Sequence, residues 1–183
     1  IDRELAIKRM GGADEEIEED ETTKTVHLRQ ELDIDKILRE NENILVQVSK
    51  EPIGEKGAKL TTCFTLPGRF LVLMPNIPRI GISKKIEEPQ ERQRLRELLR
   101  ENLPAGMGAI IRTTSENKDS AEILRDLRYL TTTWDEITEK FKTAAPEEKI
   151  HEDIDLALQA VRDHLDSDVE YVICDSRETE SRI

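Results

Sequence analysis

Residues 66–76 read Leu66-Pro67-Gly68-Arg69-Phe70-Leu71-Val72-Leu73-Met74-Pro75-Asn76. Pro67-Gly68 makes a turn or bulge. Arg69 to Met74 is a short apolar run that suits a strand, and Pro75-Asn76 ends it. Upstream, Ile44 to Ser49 is β-branched and alternating, which predicts a first strand. Lys50 to Gly57 holds one Pro, two Gly and several charges, so it reads as a hairpin loop. A second strand is expected over 58–66. Three short strands joined by polar hairpins suggest the end of a small antiparallel barrel and the start of another sheet.

Working outward, a loop with Pro78, Gly81 and Lys84-Lys85 leads to a helix that opens at Pro89. Proline suits the first helical position because its missing amide hydrogen leaves nothing unpaired. Leu95, Leu98 and Leu99 give that helix an apolar stripe, and Leu103-Pro104-Ala105-Gly106 ends it. Gly108 to Thr113 is a fourth strand. Asp119 followed by Glu122 reads as a capping box. The helix it opens carries Ile123, Leu127, Leu130, Trp134, Ile137 and Phe141 on one face. Thr131 to Thr133 weaken it locally. A last helix places Ile154, Leu158, Val161 and Leu165 together, and Val169 to Cys174 predicts a fifth strand. Ile34 to Glu40 suits one helical turn.

The charge is large and uneven. The chain has 183 residues, 37% of them charged, and a net charge of −12. Residues 50–100 nonetheless hold 11 basic and 6 acidic side chains, a net of +5. A polyanion should meet that middle third. Between Asp14 and Glu21 only Ile17 is uncharged. Such a run repels itself and reads as a solvated loop, with an acidic tether for a basic partner as the other reading. Aromatics are 3%, too few for a base-stacking platform. Cys63 and Cys174 lack metal spacing and read as buried free thiols of a reducing cytosol. No apolar run approaches the ~20 residues a membrane helix requires. The start at Ile1 without Met reads as a piece of a longer protein.

Five blocks in order carry a family resemblance: ILVQVSKEPIGEKGAKLTT (44–62), LPGRFLVLMPN (66–76), GISKKIE (81–87), LPAGMGAIIRT (103–113) and VEYVICDS (169–176). Together they resemble ribonucleases of the E/G family. The resemblance implies an α+β fold. A partial OB-type (S1-type) β-barrel is followed by a mixed α/β sensor subdomain with a long amphipathic helix, then by the start of an RNase H-like α/β element. The implied boundaries are 1–35 for an acidic variable insertion, 36–62 for the end of the barrel, 63–157 for a 5′-sensor subdomain and 158–183 for part of the RNase H-like subdomain.

The resemblance also implies roles. Arg112 and Thr113 would hold the 5′-monophosphate of an RNA end, with Gly68 and the Val72 amide completing the pocket. The residue types fit, since Arg offers a planar fork of donors and Thr a hydroxyl. Lys56, with Lys50 and Lys59, would touch the RNA backbone, as would Lys84 and Lys85. Read from the residues alone, Arg112 is a strand-end arginine in a surface ion pair, Gly68 a turn glycine, Val72 a core valine, and the lysines a solvated face. No catalytic residue and no metal ligand is expected here. Mg²⁺-binding aspartates and zinc-linking cysteines are expected beyond residue 183. The partner would be single-stranded RNA with a 5′-monophosphate, bound by a cytoplasmic, homo-oligomeric Mg-dependent endoribonuclease of RNA processing and decay. Asp153/Asp155 and Asp166/Asp168 have a spacing that points their side chains apart on a helix. His27, His151 and His164 have no ligand spacing. Two other functions stay open: a non-catalytic OB-type RNA-binding module, and an acidic protein-interaction domain.

Overall fold

A computed structural model describes residues 17–19, 40–165 and 168–183. The acidic segment 1–35 (apart from 17–19), His27, the expected turn at 34–39 and Asp166 lie outside the described residues. The chain divides into two compact units, Ile1–Glu148 and Lys149–Ile183.

The first unit contains two sheets. The smaller pairs β2 (Gln47–Lys50) with β3 (Lys59–Thr61), antiparallel, with an irregularity between Val48 and Lys50. Among the described residues it closes no barrel. The larger sheet has the order β1-β6-β7-β5-β4, built from β1 (Ile17–Glu19), β4 (Leu66–Pro67), β5 (Leu71–Met74), β6 (Ile80–Ser83) and β7 (Gly108–Ile111). β6 and β7 are parallel neighbours. A parallel pair needs a crossover, and α1 (Pro89–Asn102) supplies it.

Every residue of β5 and of β7 is buried. Both faces of these strands are therefore covered, which explains why they read as continuous apolar runs and not as an alternation. Val72, Met74 and Ile110 form one cluster with Ile77 beside it. The pleat turns Leu71, Leu73 and Ile111 to the other face, where all three are fully buried. Leu95 and Leu99 of α1 are fully buried too, worth about 1.5–3 kcal/mol each. α2 (Ser120–Thr143) lies against β4 and β5. It buries Ile123, Leu127, Leu130 and Ile137, four of the six stripe positions, and the Asp119 carboxylate caps it by accepting from the Ala121 amide at 3.1 Å. Trp134, a fifth, stacks at a tilt on Phe64, ring centroids 5.1 Å apart.

Side-chain amides complete the small sheet. Gln47 accepts from the Thr65 amide at 2.9 Å and donates to the Thr65 carbonyl at 3.0 Å. Asn76 does the same across Thr62 and Phe64. Both act as surrogate backbone pairs where 62–65 leaves the ladder.

Four expectations are corrected. The strand predicted over 58–66 is two strands with a break at 62–65. The 78–85 loop contains β6, an inner strand of the sheet. Residues 17–19 of the acidic run pair with β6 at its edge, since backbone pairing is indifferent to side-chain charge. Residues 169–174 form no strand, because a strand requires a partner ladder and none is described beside them.

The second unit holds α3 (Leu156–His164) and α4 (Arg177–Glu180). Asp155 caps α3 through the Leu158 amide at 3.0 Å, and Arg182 pairs with the same carboxylate at 2.6 Å. No residue of α3 is buried.

Candidate functional site

β7 ends at Ile111, and its exit carries Arg112 and Thr113 into a 3₁₀ turn, Thr113–Ser115. Both residues are half-buried. Beside them lies the turn between β4 and β5, closed by the Gly68 amide donating to the Leu71 carbonyl at 2.8 Å.

This turn has two polar sides. Its carbonyls hold the β7 exit. Arg112 Nη1 donates to the Gly68 carbonyl at 2.7 Å and lies 3.5 Å from that of Arg69. Thr114 Oγ1 donates to the Arg69 carbonyl at 2.6 Å. The Arg112 amide and Ser115 Oγ both donate to the Phe70 carbonyl, at 2.9 and 2.5 Å. Its amides hold α2. Arg69, Phe70 and Leu71 donate to the Asp126 carboxylate at 3.3, 2.8 and 3.3 Å.

Val72 sits deeper. It lies opposite Ile110 in the register of β5 and β7. Its side chain is buried, 7% exposed. Gly68 does allow a close approach, and the group that approaches is Asp126. A methyl group at Gly68 would overlap that carboxylate.

Other elements reach the same sheet end. Ile82 pairs with Ile111 in parallel, so Ser83 sits beside Arg112. Ser83 Oγ is 3.1 Å from Thr113 Oγ1 and accepts from the Lys85 amide at 3.3 Å. Arg92 donates to the Ser83 and Ile86 carbonyls, both at 2.8 Å, which fixes the turn bearing Lys84 and Lys85. Both lysines are exposed. The Arg69 guanidinium lies over the Phe70 ring, 5.2 Å from its centroid. Arg69, Lys84, Lys85 and Arg112 thus share the carboxyl ends of the parallel strands and their neighbouring turn.

The segment leaving the site is clamped to α1. Glu91 and Arg94 form a two-pronged pair at 2.7 Å. Glu91 also accepts from the Asn117 amide at 3.0 Å, and Arg94 donates to Ser120 Oγ and the Lys118 carbonyl. The hydrogen bond from Arg94 holds the Glu91 carboxyl below the ordinary carboxylate range, with the Asn117 amide adding to it and burial opposing both.

Lys50, Lys56 and Lys59 lie elsewhere, on the small hairpin. Lys50 and Lys59 face each other across β2 and β3, and Lys56 closes the turn opposite Ile53. All three are exposed. Sequence reasoning missed Asp126, Ser83, Thr114 and Ser115. Asp126 had a signal: it stands three residues after Ile123 and four before Leu130, on the flank of an apolar stripe where a carboxylate needs donors.

Among the described residues no three His, Cys, Asp or Glu side chains gather into a metal-holding group. Asp155 is committed to its helix cap and to Arg182. Cys63 and Cys174 are free thiols, half-buried and not fully buried as expected. No described helix is long and apolar enough to cross a membrane. The class so defined is an α+β domain with a cationic, hydroxyl-bearing site at the ends of its sheet strands.

The chain belongs to the ribonuclease E/G family, whose profile matches residues 65–183. It is 37% identical over 147 residues to "Ribonuclease G" of Escherichia coli strain K12, covering 80% of this chain and 30% of that protein. It is 38% identical over 143 residues to "Ribonuclease E" of a Nostoc species, covering 78% of this chain and 21% of that protein. To "Ribonuclease E" of Haemophilus influenzae it is 41% identical over 142 residues, or 76% and 15% of the two chains. The chain therefore spans less than a third of the length of these curated relatives.

Proposed function

We propose that this chain is the RNA-binding and 5′-monophosphate-sensing part of a single-strand-specific endoribonuclease of RNA processing and decay. The observation that carries the reading is the placement of Arg112 and Thr113. They stand side by side at a strand exit, half-buried, with the guanidinium braced by the Gly68 carbonyl. A guanidinium presents a planar fork of donors that matches the oxygens of a phosphate. A terminal phosphate monoester carries about 1.5–2 negative charges against one on an internal diester, so a compact cationic site favours the end. Gly68 and the Val72 amide complete the pocket around the phosphate. Lys84 and Lys85 extend the cationic edge, and Lys50, Lys56 and Lys59 contact the backbone of the same strand of RNA.

The sensor would act on cleavage by coupling. RNA whose end is bound here would favour the cutting-competent state by typically ~1–3 kcal/mol. In this reading the chemistry belongs to a cytoplasmic, homo-oligomeric enzyme using Mg²⁺, with zinc joining its parts. The described residues gather no donor set for either metal.

The test compares two single-stranded oligonucleotides that differ only in a 5′-monophosphate or 5′-hydroxyl end. The full-length protein should bind or cut the phosphorylated form better, by about 5- to 150-fold for a coupling of that size. Arg112→Ala should abolish the difference. Equal treatment of both ends by the wild type would sink the reading.

A further inference from the structure

We infer that Asp126 is the positioning residue of the 5′-end site, acting on Arg112 through the turn between β4 and β5. The inference rests on the proposed reading of Arg112-Thr113. Asp126 is half-buried on α2, and its carboxylate collects three consecutive backbone amides, those of Arg69, Phe70 and Leu71. Hydrogen bonds to an ionised acceptor are roughly twice as strong as neutral ones. Three of them fix the orientation of every peptide plane in the turn. The carbonyls that share those planes, of Gly68, Arg69 and Phe70, then face the other way. They hold Arg112 at its amide and its Nη1, Thr114 at its hydroxyl and Ser115 at its hydroxyl. One carboxylate on a helix thus sets the arginine of the neighbouring strand without touching it.

Two further features agree. Gly68 leaves no room for a side chain on the face where Asp126 sits. The amide array at this tip, which would otherwise attract an anion, is already filled by an internal one. A 5′-phosphate therefore meets the side chains of Arg112 and Thr113 and not the bare amides of the turn.

An amide in place of the carboxylate is the informative change. Asp126→Asn keeps size and one acceptor oxygen, but aims an NH₂ group at amides that are themselves donors. In the full-length protein, we expect Asp126→Asn to cut the 5′-monophosphate preference by about tenfold, roughly the effect of one charge-assisted contact. Affinity for the 5′-hydroxyl oligonucleotide should stay within about twofold, a difference well under 1 kcal/mol. Asp126→Glu, which keeps both acceptor oxygens, should recover part of the preference. In an Arg112→Ala background, Asp126→Asn should have no further effect on it. A wild type that prefers the phosphorylated end, with an Asp126→Asn variant that keeps the full preference, overturns the inference and leaves the sensing site standing. Equal weakening of both oligonucleotides by Asp126→Asn also overturns it, because that is the signature of a general loss of fold. A wild type without preference removes the sensing site itself, and the inference with it.

Discussion

Two glycines in this chain are required for different reasons, and the difference is measurable. A Cβ at Gly108 would overlap the backbone carbonyls of Ile77 and Arg79, which cannot swing away. A Cβ at Gly68 would overlap only the Asp126 side chain, which can move at the cost of its amide bonds. Gly108→Ala should therefore destabilise the fold by about 2–3 kcal/mol, within the usual cost of overpacking a core. Gly68→Ala should melt closer to wild type and lose 5′-end preference instead. Thermal melts beside the paired-oligonucleotide assay check this, and a lower melting temperature for Gly68→Ala than for Gly108→Ala would refute it. The family resemblance placed Gly68 in the pocket but could not name its neighbour. Asp126 is 57 residues from Arg69, and only folding brings them together. The expectation that Arg112 holds a phosphate came from the ordered family blocks alone. Its residue type and strand-end position suit an ion pair equally well.

At the scale of elements, the long helix was the most legible because its apolar period and its Asp119 cap agree. β6 was the least legible. Pro78, Gly81 and two lysines read as a loop, and Ile80–Ser83 is too short and too fully buried to show alternation. α1 does more than cross over between strands. Through Glu91 and Arg94 it fixes residues 117–120, the path out of the site. The Glu91 side chain is 10% exposed and its carboxyl is held below its ordinary 4.5. A carboxyl depressed in the folded state adds stability above its unfolded value, and that stability is lost as pH falls through the folded value. Glu91→Gln should therefore cost about 1 kcal/mol at neutral pH, the net worth of one such hydrogen-bonded group. The gap from wild type should close as pH drops below 4.5. Urea unfolding of both proteins across that range measures it. A gap that persists unchanged in acid would mean that Glu91 contributes by packing and not by charge.

Among the described residues of the first unit, two groups of cations differ in their consequences. Arg69, Lys84, Lys85 and Arg112 gather at one end of the large sheet, while Lys50, Lys56 and Lys59 ride on the small hairpin. The +5 of residues 50–100 against a chain total of −12 marked this third as cationic, but not the division of its lysines between two sheets. The hairpin lysines are exposed and would act through counterion release from the phosphate backbone, which carries no information about the end of the strand. Replacing Lys50, Lys56 and Lys59 together with alanine should weaken both oligonucleotides equally. It should also flatten the dependence of log affinity on log salt by about 0.7 for each lost contact to single-stranded RNA, or roughly 2 in all. Arg112→Ala should do the reverse, removing the end preference while changing the slope for the 5′-hydroxyl oligonucleotide little. The two variants measured side by side over a salt series separate the roles. If the hairpin triple variant loses the end preference, or keeps its salt slope, the hairpin is not a backbone contact and the division of labour between the two sheets fails.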